Sequence, residues 1–169
     1  TGDPENFFYR GTRLADGTRN GDQQAIIDGL TLSGANGIYA IAIRPHGGDG
    51  DATAKPVIDS DPTRGRDEDI FHQGEIWISQ LDAAGVTITF FIYDDSARIW
   101  NTGDVVGVEE QTLVESLVNR FKHHNNLIWV IAEEYSEVYT AARVSSLAAI
   151  VRTTDNFSHP IAVHKLQSL

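Results

Sequence analysis

Three apolar runs, GIYAIAI (37–43), VTITFFIY (86–93) and LIWVIA (127–132), each follow an amphipathic stretch and a short turn. A strand that is apolar on both faces has to be covered on both, so it belongs inside a parallel sheet flanked by helices. The stretches before the strands carry the covering stripes. Residues 22–34 put Ile26, Ile27 and Leu30 on one helical face, with Gly34 as a stop. Residues 70–84 align Ile70, Gly74, Trp77, Ile78, Leu81 and Ala84, and Gly85 ends that helix. A third helix over about 109–124 carries Leu113, Val114, Leu117, Val118 and Phe121, and the turn HNN leads out of it. A fourth, over about 138–153, aligns Ala141, Val144, Leu147, Ala148 and Val151, before Pro160 and a short strand at 161–164. The aromatic run in PENFFYRGT reads as a further strand at the start.

Helix and strand therefore alternate as a series of βα units, whose crossovers are expected to be right-handed. Two architectures accommodate such a series: an open doubly wound sheet, or part of a (β/α)8 barrel. Loops after strands are long and polar, whereas those after helices are short, the asymmetry of a barrel whose βα loops carry the chemistry. A nucleotide-binding open sheet would need a glycine-rich phosphate loop. The only candidate, GGDG at 47–50, fits neither the dinucleotide fingerprint nor the P-loop. The expected fold is thus α/β, the N-terminal portion of a TIM barrel with about five βα units, residues 1–169 forming a single incomplete domain. An unclosed barrel leaves strand edges unpaired. The chain, which has no Met at position 1, is therefore expected to be a fragment of a longer polypeptide, or to have its open edge covered by another chain.

Charge narrows the partners. With 13 Lys+Arg against 24 Asp+Glu the formal net charge is -11, which argues against nucleic acid and anionic membrane surfaces. The apolar runs are far shorter than the roughly 20 residues of a membrane helix, so no membrane insertion is expected. Without cysteine there is neither a disulfide nor a thiolate metal site.

Ligands of parallel α/β sheets sit beyond the carboxyl ends of the strands. LIWVIA ends there in two adjacent acids, Glu133 and Glu134. Arg44 follows the strand at 37–43, and Asp94 and Asp95 follow the one at 86–93, so all three should rim the same mouth. Each suits either ligand contact or an ion-pair network of the rim. The glutamates themselves could be solvated or paired with Arg44 or Arg98. Trp100 is either a stacking platform or a loop anchor, and His46 and His164 are placed to reach the mouth. Trp129, mid-strand, reads as core, and His123 and His124 as packing or capping groups at the base. Asp49, Asp51, Asp59 and Asp61 lack EF-hand spacing and read as a solvated acidic loop, not a calcium site. No metal or other cofactor is expected, and no nucleophile elbow is present.

Four stretches, in order, resemble the catalytic barrels of clan-A-type glycoside hydrolases: GANGIYAIAIRPHGGDGDATAKP, QLDAAGVTITFFIYDD, LVNRFKHHNNLIWVIAEE and DNFSHPIAVH. The likeness covers roughly residues 34–164 and is most specific at the RF-x-HH-x-N-x-x-W-x-x-x-EE stretch. It points to a little-characterised bacterial branch that commonly carries an Ig-like N-terminal domain and sometimes a collagen-binding domain. The resemblance implies a hydrolase of O-glycosidic bonds, exported or periplasmic, acting on a poly- or oligosaccharide. It places the general acid/base on Glu134, and puts Glu133 where the clan usually has Asn. The nucleophile of such enzymes lies on the seventh barrel strand, outside this chain.

Glycoside hydrolysis needs two carboxyl groups about 5–5.5 Å apart for retention or roughly 6.5–9.5 Å for inversion. Neighbours on a strand point to opposite faces, so Glu133 and Glu134 are not expected to form that pair. Repulsion from Glu133 would instead help keep Glu134 protonated. Arg44, His46, Asp94, Asp95, Trp100 and His164 become candidate sugar contacts. The other reading is a non-catalytic barrel, serving as a glycan-binding module or as a structural subunit of an assembly.

Overall fold

The structure, a computed structural model, describes residues 23–43, 56–57, 61–94, 100 and 102–165. Its elements are α1 (Gln23–Ser33), β1 (Gly37–Ile43), α2 (Glu68–Ala83), β2 (Thr87–Tyr93), α3 (Val108–Phe121), β3 (Leu127–Ala132), a 3-10 turn (Tyr135–Glu137), α4 (Ala141–Thr154) and β4 (Ile161–Ala162). The strands form one parallel sheet in the order β1-β2-β3-β4. Strand order follows chain order without reversal, whereas a doubly wound sheet turns back at its switch point. No helix among the described residues is long and apolar enough to cross a membrane. The strand read in PENFFYRGT lies outside the described residues.

Caps set the helix limits. Asp67 accepts hydrogen bonds from the backbone N–H groups of Asp69 and Ile70, so α2 starts at Glu68, two residues before its first apolar stripe residue. Thr140 accepts from the Arg143 N–H at 3.1 Å and starts α4 at Ala141, the first residue of its stripe and three residues later than the expected start at about 138; a 3-10 turn at Tyr135–Glu137 precedes it. Gly34 and Gly85 end α1 and α2 with φ of 71° and 70°. At each, the next residue's N–H bonds back to the helix, Ala35 to Leu30 O and Val86 to Leu81 O, a Schellman closure.

The two faces of the sheet build separate cores. One register row joins Ala40, Phe90, Trp129 and Ile161 on the helix-covered face. There Phe90 packs edge-on to Trp129 at 5.5 Å and against Phe121 of α3 at 5.8 Å, and Phe121 stacks on Phe71 of α2 at 5.9 Å. Trp129 is fully buried core, as its mid-strand place required. On the opposite face Ile41, Phe91 and Val130 form a second cluster with Tyr39 and Ile128. That is the layer of inward side chains a barrel needs. The predicted stripes hold with two exceptions: Ala84 and Ala141 are exposed, the first as the C-cap of α2 and the second as the opening residue of α4. Phe71, off the predicted stripe, is buried in their stead.

Candidate active site

The carboxyl ends of the strands are laced by main-chain hydrogen bonds. The Asp94 N–H donates to Ile43 O (3.1 Å), that of Glu133 to Tyr93 O (3.0 Å), and that of His164 to Ala132 O (3.2 Å). Residues just beyond β2, β3 and β4 therefore stand along one rim. Asp94 is buried, Glu133 and Glu134 are half-buried, and His164 is exposed.

Glu134 departs from ordinary backbone, with φ 38° and ψ 42°. This left-handed conformation costs a residue with a Cβ about 1–2 kcal/mol. It ends the strand and starts the 3-10 turn, in which the Glu137 N–H bonds to Glu134 O at 3.0 Å. Strand alternation thus stops at Glu133, so the simple opposition of the two glutamates gives way to a turn.

His164 braces that turn. Besides its bond to Ala132, its carbonyl accepts from the Tyr135 N–H (3.1 Å), and its Nδ1 accepts from the Glu134 N–H (3.3 Å). Acceptance at Nδ1 assigns the ring proton to Nε2. The imidazole edge lies on the inner-face ring of Phe91, centroids 6.4 Å apart at 86°. Glu134 and His164, thirty residues apart in sequence, are brought together. Arg44, His46, Asp95 and Arg98 lie outside the described residues. Trp100 is half-buried and packs on the helix-side core.

Beneath the rim lies a charged network that the sequence did not reveal. Tyr93 donates to Glu110 Oε1 at 2.7 Å, and Arg143 Nη2 donates to Glu110 Oε2 at 2.5 Å. Arg143 Nη1 also reaches Gly103 O (2.7 Å) and Thr102 Oγ1 (3.1 Å), tying down the loop after β2. Its guanidinium lies over the Tyr139 ring at 5.4 Å. Burial, then the Glu110 charge, pushes the Tyr93 phenol well above its ordinary value, so it remains a donor. Glu110 and Arg143 sit at helical spacing from Leu113 and Leu147, the signal in the sequence that could have found them.

Away from the mouth, Asp61 accepts from the Thr63 N–H and Oγ1 at 2.9 and 2.8 Å, a local turn. Asp49, Asp51 and Asp59 lie outside the described residues. His123 and His124 lie at the base, as expected, where they contact Glu75 of α2. Among the described residues, these three are the group whose ligand atoms are close enough to share a metal ion.

No protein-family model and no curated protein matches the chain. Solved structures do. A Bacteroides vulgatus ATCC 8482 protein provisionally assigned as a glycoside hydrolase superposes with TM-score 0.69 and 16% identity, over 96% of this chain and 35% of its own. The fold is part of a TIM barrel. A second structure, described as a glycoside hydrolase, gives 0.66 and 15% over 96% of this chain and 34% of its own. A glycoside hydrolase family 5 protein, also from B. vulgatus ATCC 8482, gives 0.62 and 14% over 92% and 34%. The chain thus spans about a third of the length of these neighbours.

Proposed function

We propose that this chain carries the acid/base half of a glycoside hydrolase active site, with Glu134 as proton donor and a poly- or oligosaccharide as substrate. The observation that carries this is the strained turn at Glu134, fastened by His164 at the carboxyl end of a barrel strand. Strain at a residue with a Cβ persists where surrounding structure imposes it, and such positions cluster at active sites. In the proposed reaction the Glu134 carboxyl gives its proton to the glycosidic oxygen as the C1–O bond breaks. The leaving alcohol departs neutral, and a second carboxylate, from the remainder of the barrel in the same polypeptide or another chain, stabilises the oxocarbenium-like centre. Water then supplies the hydroxyl, with a carboxylate taking its proton. Glu133 flanks the donor, while Arg44, His46, Asp94, Asp95, Trp100 and His164 are assigned to sugar contact or to shaping the rim.

The test is Glu134→Gln in the complete protein, assayed on two glycosides of the same sugar. With an alkyl or sugar leaving group, turnover should fall by at least about a hundredfold. With an acidic phenol as leaving group, which departs without protonation, the first bond-breaking step should be far less affected. Equal activity of variant and parent on the unactivated glycoside overturns the assignment. Glycan binding without turnover in the parent protein would favour a non-catalytic barrel.

A further inference from the structure

At the base of the sheet, on the far side from Glu134, three side chains from two segments converge. His123 Nε2 and His124 Nε2 lie 3.0 and 2.9 Å from the same oxygen, Glu75 Oε1. All three ligand atoms fall within 4.8 Å of one another. We infer that Glu75, His123 and His124 form a binding site for a divalent transition metal of the zinc class, clipping α2 to the end of α3.

Distances fit the chemistry. A tetrahedral ion with bonds of about 2.0–2.1 Å sets its ligand atoms about 3.3 Å apart, close to the two separations found. Two imidazoles and a carboxylate are a zinc donor set, leaving one position for water. The surroundings supply the outer contacts such ligands have. His124 Nδ1 lies 3.3 Å from Asp82 Oδ2, so a proton there directs Nε2, as a lone pair, towards Glu75 and His123. Arg120 Nε lies 3.5 Å from the other Glu75 oxygen, Oε2, which is buried without a hydrogen bond. One carboxylate oxygen is thereby free for the ion while its twin faces a fixed cation.

One ion would replace the two histidine contacts on Glu75 Oε1 with one bond from each ligand. His124 is buried, whereas the His123 side chain is 53% exposed, so an ion can enter from the His123 side.

The test uses the full chain, stripped with a chelator and titrated with Zn2+ and with Co2+. Expected are one saturable Zn2+ equivalent, a Co2+ visible spectrum of tetrahedral intensity, and a melting temperature that rises with free Zn2+. His123→Ala, on an exposed side chain that leaves the core intact, and Glu75→Gln should each weaken Zn2+ binding at least tenfold. Asp82→Asn, which disturbs only the outer contact, should weaken it by about 10–100-fold. Circular dichroism establishes that each variant is folded. Absence of saturable binding by the parent overturns the inference. So does binding that survives both His123→Ala and Glu75→Gln, or that is lost on His46→Ala instead.

Discussion

The base of the sheet and its mouth use left-handed backbone in different ways. At the base, α1 and α2 end on Gly34 and Gly85, with φ of 71° and 70°. The residue type there matches the conformation, and the closure costs little. At the mouth the same region of backbone space holds Glu134, at φ 38°. Ser158, at φ 63°, shows what holding strain ordinarily takes. Asp155 clamps its turn by accepting from the Phe157 and His159 N–H groups, both at 2.9 Å. Glu134 has the looser brace, the 3.3 Å bond to His164. A helix can be ended by any sequence that offers glycine. A carboxylate at a barrel mouth cannot be traded for glycine without losing the carboxylate, so under the proposed function the strain at Glu134 is the cost of keeping its side chain.

The largest effect is expected beneath the mouth. Arg143→Ala leaves Glu110 buried without its cation, and the loop after β2 without its anchor. Removing one member of a buried pair costs about 3–5 kcal/mol. Urea unfolding should show that loss. Replacing Arg143 by Met, Glu110 by Leu and Tyr93 by Phe together should recover at least half of it, because the buried guanidinium, carboxylate and phenol are then all removed and none is left without the other two. A triple variant as unstable as Arg143→Ala would show that the network's shape, not its charge, supports the rim.

The base should break by acid. Burial works to raise the Asp155 carboxyl, but the Phe157 and His159 N–H groups and the His159 ring outweigh it and hold it below its ordinary value of 3.8. A carboxylate lowered on folding contributes stability that is present above its unfolded value and is lost as pH falls through its folded one. Thermal melts of the parent should therefore steepen downwards below about pH 4, and Asp155→Asn should flatten that limb. At neutral pH the same variant should lose about 1.5–3 kcal/mol, the worth of hydrogen bonds to a charged acceptor, with the melt as readout.

How much of this was legible in the sequence follows from periodicity. The strands at 37–43 and 127–132 were found to the residue, and the third strand to within one, because burial on both faces writes a continuous apolar run. Glu133, Glu134, Asp94 and His164 were placed at one mouth because the end of a strand is visible in that run. The brace of Glu134 by His164 was not, since it depends on the parallel register of β4, which spans only Ile161–Ala162. Glu110, Arg143 and Glu75 escaped notice for a related reason. A charge on an amphipathic helix is usually solvated, and only the packing of a neighbouring element makes it otherwise.

A paired substitution sharpens the comparison most finely. Gly85→Ala puts a Cβ into left-handed backbone at the base, and nothing lies within 4 Å of that atom, so the cost is conformational alone. About 1–2 kcal/mol should be lost, less the roughly 0.5–1 kcal/mol that alanine saves in the unfolded chain. Glu134→Gly is the mirror experiment at the mouth. It relieves the same conformational cost and adds the same unfolded-state freedom, so a net gain of about 0.5 kcal/mol is expected, visible as a small rise in melting temperature. Glycoside turnover should disappear along with the carboxylate. A residue that destabilises the fold while it is present, and abolishes activity when it is removed, is one held for chemistry. If Glu134→Gly instead lowers the melting temperature by several degrees, the Glu134 side chain supports the turn, and the contrast between base and mouth collapses.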